Sequence, residues 1–477
     1  MRHMILLGAH VALGVLTVAT PAVGASEDVV RARQLLVEAA AMADRIDDDS
    51  IRAGLRRDIA GAQARAGDEL AALTTASKGR EWRAVAMGFA AGGNISAALA
   101  AVRQVEPEPF EWLLGITSWD EARLQVVLAS AQRDDVRAAS LALAEISSPM
   151  FAGMAQAAVA EAHARAGHAR EAAEGFRLAS LYADLSRVSL VGSAARAAVY
   201  RAIGQARGRL GDRAEAIAAF DTALAAARRI EREDRRDCIL AAIGAERAIA
   251  GDFDGAERTP ALVRDPHQAL GARAALARSL ATAGDDDRAM ATAERIHDEI
   301  GRMRAFIEIA TVASSRGHAA LAARAFEQAI AAAERRPASG ISSFSFRDEA
   351  LIEVARAQAL NGDRDAALRT AARMLRRVEL HDAYIIDAVL KAHVLALAKA
   401  GDFEAALVAG SSARRYPPGG DEWRAIGAAA GRQGAVDAVL SRGPASPRDW
   451  SRAMFLLGLA EGLLERAALE GTVAASP

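Results

Sequence analysis

The sequence predicts an all-α chain, an α-solenoid of about ten stacked helix-turn-helix units. Three observations lead there. Of its 477 residues, 52% are hydrophobic but only 4% aromatic, so the apolar content is mostly alanine and small aliphatics. Together with leucine, arginine and glutamate these are strong helix formers, while β-branched and aromatic residues are too few for an all-β domain. A glycine-polar step recurs between the Ala-rich runs, at spacings that favour 33 residues. Each such unit could bury only one face by itself, so its stability must come from stacking on its neighbours.

Composition also excludes classes. A charged fraction of 25% beside a large apolar one is neither disordered nor collagen-like. The 59 basic and 61 acidic residues leave a net charge of −2, which gives no global drive towards nucleic acid. Cys238 is the one cysteine, so neither an internal disulfide nor a cysteine-based metal site can form. Lys78, Lys391 and Lys399 are the only lysines, and arginine supplies the remaining cations.

Residues 1–25 read as a secretory leader. Arg2 and His3 form a short polar start, Ile5 to Ala19 is apolar, and Val23-Gly24-Ala25 suits a cut after Ala25. No cysteine at the junction would carry a lipid. The alternative is an uncleaved anchor over residues 4–24. No later stretch has the ~18 uninterrupted apolar residues of a second span, so the mature chain is expected in the periplasm or outside the cell, with no stable span of its own.

The solenoid is expected over residues 26–440. Its turns fall at Gly67-Asp68, Gly93-Asn94, Asp134-Asp135, Gly167-His168, Gly211-Asp212, Gly251-Asp252, Gly284-Asp285, Gly317-His318, Gly362-Asp363, Gly401-Asp402 and Gly434-Ala435. Glycine ends the first helix of a unit by taking a left-handed conformation. The Asp or Asn after it caps the second helix. Interruptions occur at Glu106 to Pro109 with Trp112 and Trp119, at Thr259 to His267, at Pro337 to Gly340 with Phe344 and Phe346, and at Tyr416 to Gly420. Residues 441–477 are expected to form a capping helix, apolar from Met454 to Leu464, and a tail. The four aromatics Trp112, Trp119, Phe344 and Phe346 are candidate exposed anchors for a partner.

These units resemble the tetratricopeptide repeat. Its phrase, W-x2-L-G-x2-Y-x3-G-D followed by A, an aromatic and A, is matched by Tyr200, Ile203, Gly204, Gly211-Asp212, Ala216, Phe220 and Ala223. Trp423, Ile426, Gly427 and Gly434 repeat the first half, as do Trp82, Val85, Ala86 and Gly93. Ala172, Phe176 and Ala179, and again Ala322, Phe326 and Ala329, repeat the second. The chain departs from the family where its tyrosine becomes Arg207, His163, Ala313 or Ala430, and in mostly lacking the closing proline. The resemblance, over roughly residues 50–440, implies a right-handed superhelix with a concave groove lined by its first helices. On that frame the groove positions are Arg57, Arg65, Arg83, Arg165, Arg201, Arg209, Arg278, Arg356, Lys391, Arg424 and Arg432. Cations repeated there would make a basic trough able to hold peptide carboxylates. Alternatively they are the default polar residue and simply face water.

Catalytic signatures are absent: no H-E-x-x-H, no G-x-S-x-G, no Walker loop and no dinucleotide fingerprint. His163 and His168, five apart around a turn, do not share a helical face, so no metal is expected there. The runs Asp47 to Asp49 and Asp285 to Asp287 lack the glycine and glutamate of a calcium loop. Cys238 has no assignable histidine base and reads as a packing residue. The function expected is thus a non-enzymatic scaffold, without cofactor, whose groove binds a protein or peptide, possibly acidic. One alternative is a solenoid that assembles with itself into a homo-oligomer. Another is an envelope enzyme like the helical superstructure of lytic transglycosylases, although only about 40 residues follow the last repeat.

Overall fold

The computed structural model describes residues 26–79, 81–105, 118–186, 192–336, 346–373, 382–412, 419–441 and 449–474. The leader, Trp112 and Phe344 lie outside them. Among the described residues there are 24 α-helices, one 3-10 turn and no strand, as the alanine-rich composition requires. The helices are α1 (Glu27–Ala43), α2 (Asp49–Arg65), α3 (Glu69–Gly79), α4 (Trp82–Ala91), α5 (Ile95–Val102) and α6 (Ser118–Gln132). Next come α7 (Val136–Leu143), α8 (Pro149–Arg165), α9 (Ala169–Leu185), α10 (Gly192–Arg209), α11 (Arg213–Ala227) and α12 (Glu233–Ile249). They continue as α13 (Phe253–Arg258), α14 (Pro266–Ala283), α15 (Asp286–Glu294), α16 (Glu299–Ser315), α17 (Ala319–Glu334) and α18 (Phe346–Leu360). The last are α19 (Arg364–Ala372), α20 (Asp382–Lys399), α21 (Phe403–Ser412), α22 (Gly420–Arg432), α23 (Val436–Leu440) and α24 (Asp449–Ala474). The interruption expected near Thr259 is the 3-10 turn Thr259–Leu262, followed by Pro266 at the start of α14.

Every turn named above is a helix reversal. Gly67, Gly93, Gly167, Gly211, Gly251, Gly284, Gly317, Gly362, Gly401 and Gly434 have φ between 70° and 88°, and Asp134 has 58°. At ten of the eleven turns the following residue donates its N–H back across the turn, as in Asp68 to the Gln63 carbonyl (3.0 Å) and Asp402 to that of Leu397 (2.9 Å). This is the Schellman closure, which satisfies carbonyls the ending helix leaves open. The expected caps form at Asp68, Asn94, Asp135, Asp252, Asp285, Asp363 and Asp402, whose side chains accept from the N–H three residues on. Asp212, His168 and His318 make no such bond.

The chain divides into two compact units, one of residues 1–33, 53–250 and 464–477, the other of residues 34–52 and 251–463. In the first, α4, α6, α8, α10 and α12 pack each on the next; in the second, α14, α16, α18, α20 and α22 do the same. These are the first helices of successive hairpins, and outside the α12–α13 hairpin their second helices pack back on them. Core positions pair small with large residues. A methyl at Gly204 would meet the Phe220 ring at 2.7 Å, and Phe220 itself is fully buried. At the end of the second unit α22 and α24 touch backbone to backbone. A methyl at Gly427 would lie 2.4 Å from the Phe455 carbonyl, and one at Gly462 2.2 Å from that of Ala428. The apolar run of α24 is buried at Phe455, Leu456, Leu457 and Leu459.

Candidate functional site

Most of the cationic positions singled out on the first helices have a carboxylate partner. Arg83 on α4 reaches Glu121 on α6 at 3.3 Å. Arg209 on α10 makes a forked pair with Glu161 on α8, at 2.8 and 2.6 Å. Glu161 is almost wholly buried and also receives Arg165 from its own helix at 2.7 Å. Arg165 continues to Asp134 at 2.7 Å. Arg201 on α10 is bound by Glu246 on α12, with Nε 2.9 Å from one carboxylate oxygen. Burial opposes the charge on Arg201, but the bonds to Glu246 outweigh it and hold the guanidinium above its ordinary pKa. In the second unit Arg278 lies 3.8 Å from Glu308 and Arg424 pairs with Glu461 at 2.8 and 2.7 Å. Arg304, which sequence reasoning passed over, pairs with Glu353 at 2.8 Å.

Carboxylates thus accompany most of the cations expected to line a basic trough. Six of the eleven cations expected along the groove (Arg83, Arg165, Arg201, Arg209, Arg278 and Arg424) are bound across the repeat by a carboxylate, which leaves these six charge-balanced. Arg57 is exposed and lies 3.5 Å from its neighbour Asp58. Arg356 on α18 is exposed, and Lys391 on α20 is half-buried. Counting cations alone hid the acids. Aligning copies on their turn would have found two of them, since Glu308 and Glu353 both stand nine residues before the turn glycine.

A second link also escaped the sequence. Guanidinium or amide groups beside one turn donate to carbonyls at the end of a neighbouring first helix. Arg33 gives two bonds to Ala66, at 2.9 and 2.6 Å. Arg133 reaches Ala91, Arg165 reaches Ala131, Arg316 reaches Ala281, and Gln433 reaches Gly401. A cation at a helix C-terminus meets both an unsatisfied carbonyl and the negative end of the helix dipole. Arg133, Arg316 and Gln433 each directly precede a left-handed residue, a recurrence the sequence does display.

Of the aromatic anchors, Trp119 is exposed, as expected, while its indole N–H donates to the Val105 carbonyl. Phe346 has the Arg336 guanidinium 5.2 Å from its ring centre. A cavity of about 460 Å³ opens among α7, α8 and α9, lined by Leu143, Gln156, His163, Arg170, Glu171 and Leu178 among others. His163 and His168 are not held apart as their spacing suggested: their Nδ1 atoms lie 3.4 Å from each other. Among the described residues no group of three or more His, Cys, Asp or Glu is placed to hold a metal ion. Cys238 is exposed rather than packed, which corrects that expectation.

No family model and no curated protein matches the chain. Solved structures similar to it include Ton1535 from Thermococcus onnurineus NA1, at 17% identity over 68% of this chain and 92% of that one, TM-score 0.30. Another is a circular tandem repeat protein with novel repeat topology and enhanced subunit contact surfaces, at 13% identity over 94% and 98%, TM-score 0.23. The helical repeat architecture rests on this chain's own eleven reversals and the stacking of its first helices.

Proposed function

We propose that this chain is an exported, non-enzymatic scaffold, tetratricopeptide-like in its repeat, that holds a protein or peptide on the face made by its first helices. The observation that carries this reading is the row of inter-hairpin ion pairs. It sets the spacing of the first helices before any partner arrives, and a preformed face loses less ordering entropy on binding. Because six of the groove cations are already balanced by carboxylates, acidic groups of the partner are assigned to Arg356 and Lys391, on the adjoining helices α18 and α20. Export is supported by the leader pattern and by Ser26, the residue expected to follow the cut, whose hydroxyl accepts the Val29 N–H at 3.4 Å and so caps α1. Among the described residues no helix is long and apolar enough to cross a membrane.

The test is a crosslinking pull-down from envelope extract with the chain beginning at Ser26, the N-terminus expected of the exported protein. The double variant Arg356→Ala/Lys391→Ala serves as control. A partner identified by mass spectrometry and recovered about tenfold less by the variant supports the reading. Equal recovery overturns the assignment to these two cations. One observation favours a second reading, self-association: Leu181 and Leu185 on α9 are about half exposed, at 49% and 55%. Light scattering at several concentrations separates the two, because a monomer throughout excludes self-association.

A further inference from the structure

The turn between α8 and α9 carries a histidine on each side, His163 and His168. Gly167 is left-handed, with φ 79°, and the His168 N–H closes the reversal on the His163 carbonyl at 2.9 Å. A continuous helix would send residues five apart to different faces. The left-handed step instead folds the chain back, so both side chains leave on one side. The next hairpin shows that the motif itself brings these two positions together. There they are Arg207 and Asp212, and their side chains form an ion pair at 2.8 Å. At the Gly317 turn the same positions are Ala313 and His318, and His318 turns instead to Asp286, at 3.6 Å.

The imidazole rings of His163 and His168 stand 5.6 Å apart, tilted by 57°, with Nδ1 to Nδ1 at 3.4 Å. His168 makes no helix-capping bond, so its ring is available to its partner. Zinc binds imidazole nitrogen at about 2.0–2.1 Å in a tetrahedron, whose edge is then about 3.3–3.4 Å. The observed separation is that edge. Octahedral or square-planar geometry at the same bond length would want about 2.9 Å. His163 borders the cavity of about 460 Å³, whose wall carries Glu171 and Glu174 beside Arg170, with room for water on the remaining positions.

We propose that His163 and His168 form a two-imidazole site for a divalent transition ion of tetrahedral preference, zinc above all, with water completing the shell. The Nδ1 lone pairs are the ligands, so both rings bind in the neutral form with Nε2 protonated.

The experiment is calorimetric titration of Zn²⁺ into the full chain without a polyhistidine tag, alongside His163→Gln, His168→Ala and, as control, His318→Ala. The expected result is one saturable equivalent in the parent protein and in the control, lost in each of the other two. His168 is exposed and caps nothing, so its variant should fold, and circular dichroism checks that both do. Absence of saturable uptake at millimolar Zn²⁺ would overturn the site, leaving a neutral hydrogen-bonded pair. So would an equivalent that persists in both variants.

Discussion

Gly204 and Gly211 lie on one arm of the same hairpin and are glycine for different reasons. Gly211 has φ 81° and open space where a methyl would go, while Gly204 is helical and pressed against the Phe220 ring at 2.7 Å. Replacing Gly211 by alanine should cost about 1–2 kcal/mol of left-handed strain, and asparagine, which tolerates that region, should cost less. Gly204→Ala should cost about 1–3 kcal/mol through overpacking. Shrinking the ring with Phe220→Leu should recover part of that loss, so the double variant is more stable than additivity allows. Urea unfolding of the four variants measures this. Additive Gly204 and Phe220 effects would disprove the contact as the cause. Glycine recurring at turns is thus readable in sequence, because handedness is a property of a single residue. The reason for Gly204 became visible only once α11 lay against α10.

Between hairpins the first helices are joined by charge, and the joints differ in strength for a reason their surroundings supply. Glu161 is 7% exposed and holds both Arg165 and Arg209. Its loss would strand two guanidinium groups in a partly dry setting. Arg278 and Glu308 lie 3.8 Å apart with 40% and 45% exposure, so water screens them and the pair contributes little. Glu161→Gln is expected to lower stability by about 2–4 kcal/mol, and Arg278→Ala by under about 1 kcal/mol. Chemical denaturation compares the two directly, and equal costs would contradict the account from burial. The cationic half of most joints was legible on the repeat frame, Arg304 being the exception. Most of the acidic half was not: Glu161 meets Arg209 across 48 residues and has no counterpart at its place before the other turns.

At the largest scale, the first unit contains both the start and the end of the chain. Asp28 at the head of α1 is bound by Arg466 on α24, with Nε 2.6 Å from one carboxylate oxygen across 438 residues. The cost of closing so long a loop grows only logarithmically with its length, and the intervening helices are ordered by their own stacking, so a single ion pair can hold the two terminal helices together. Arg466→Ala should cost about 1–2 kcal/mol, the worth of a charge-assisted bond at a part-buried site. Hydrogen exchange should quicken in residues 27–33 and 464–470 while the α8–α9 hairpin keeps its protection. Unchanged exchange at both ends would show that packing alone holds them.

By itself the sequence determined the helical class, all eleven reversals and most of the caps. These depend on one residue or on neighbours three to five apart, within reach of local sterics and hydrogen bonding. Tertiary structure decided where the charge goes. Whether Arg201 or Arg209 faces a ligand or a glutamate is settled by a helix that enters from 45 or 48 residues away. Only that approach turned a row of cations into a balanced set of joints. The same holds at the Gly167 turn, where helical spacing places His163 and His168 on separate faces and the left-handed reversal brings their nitrogens together.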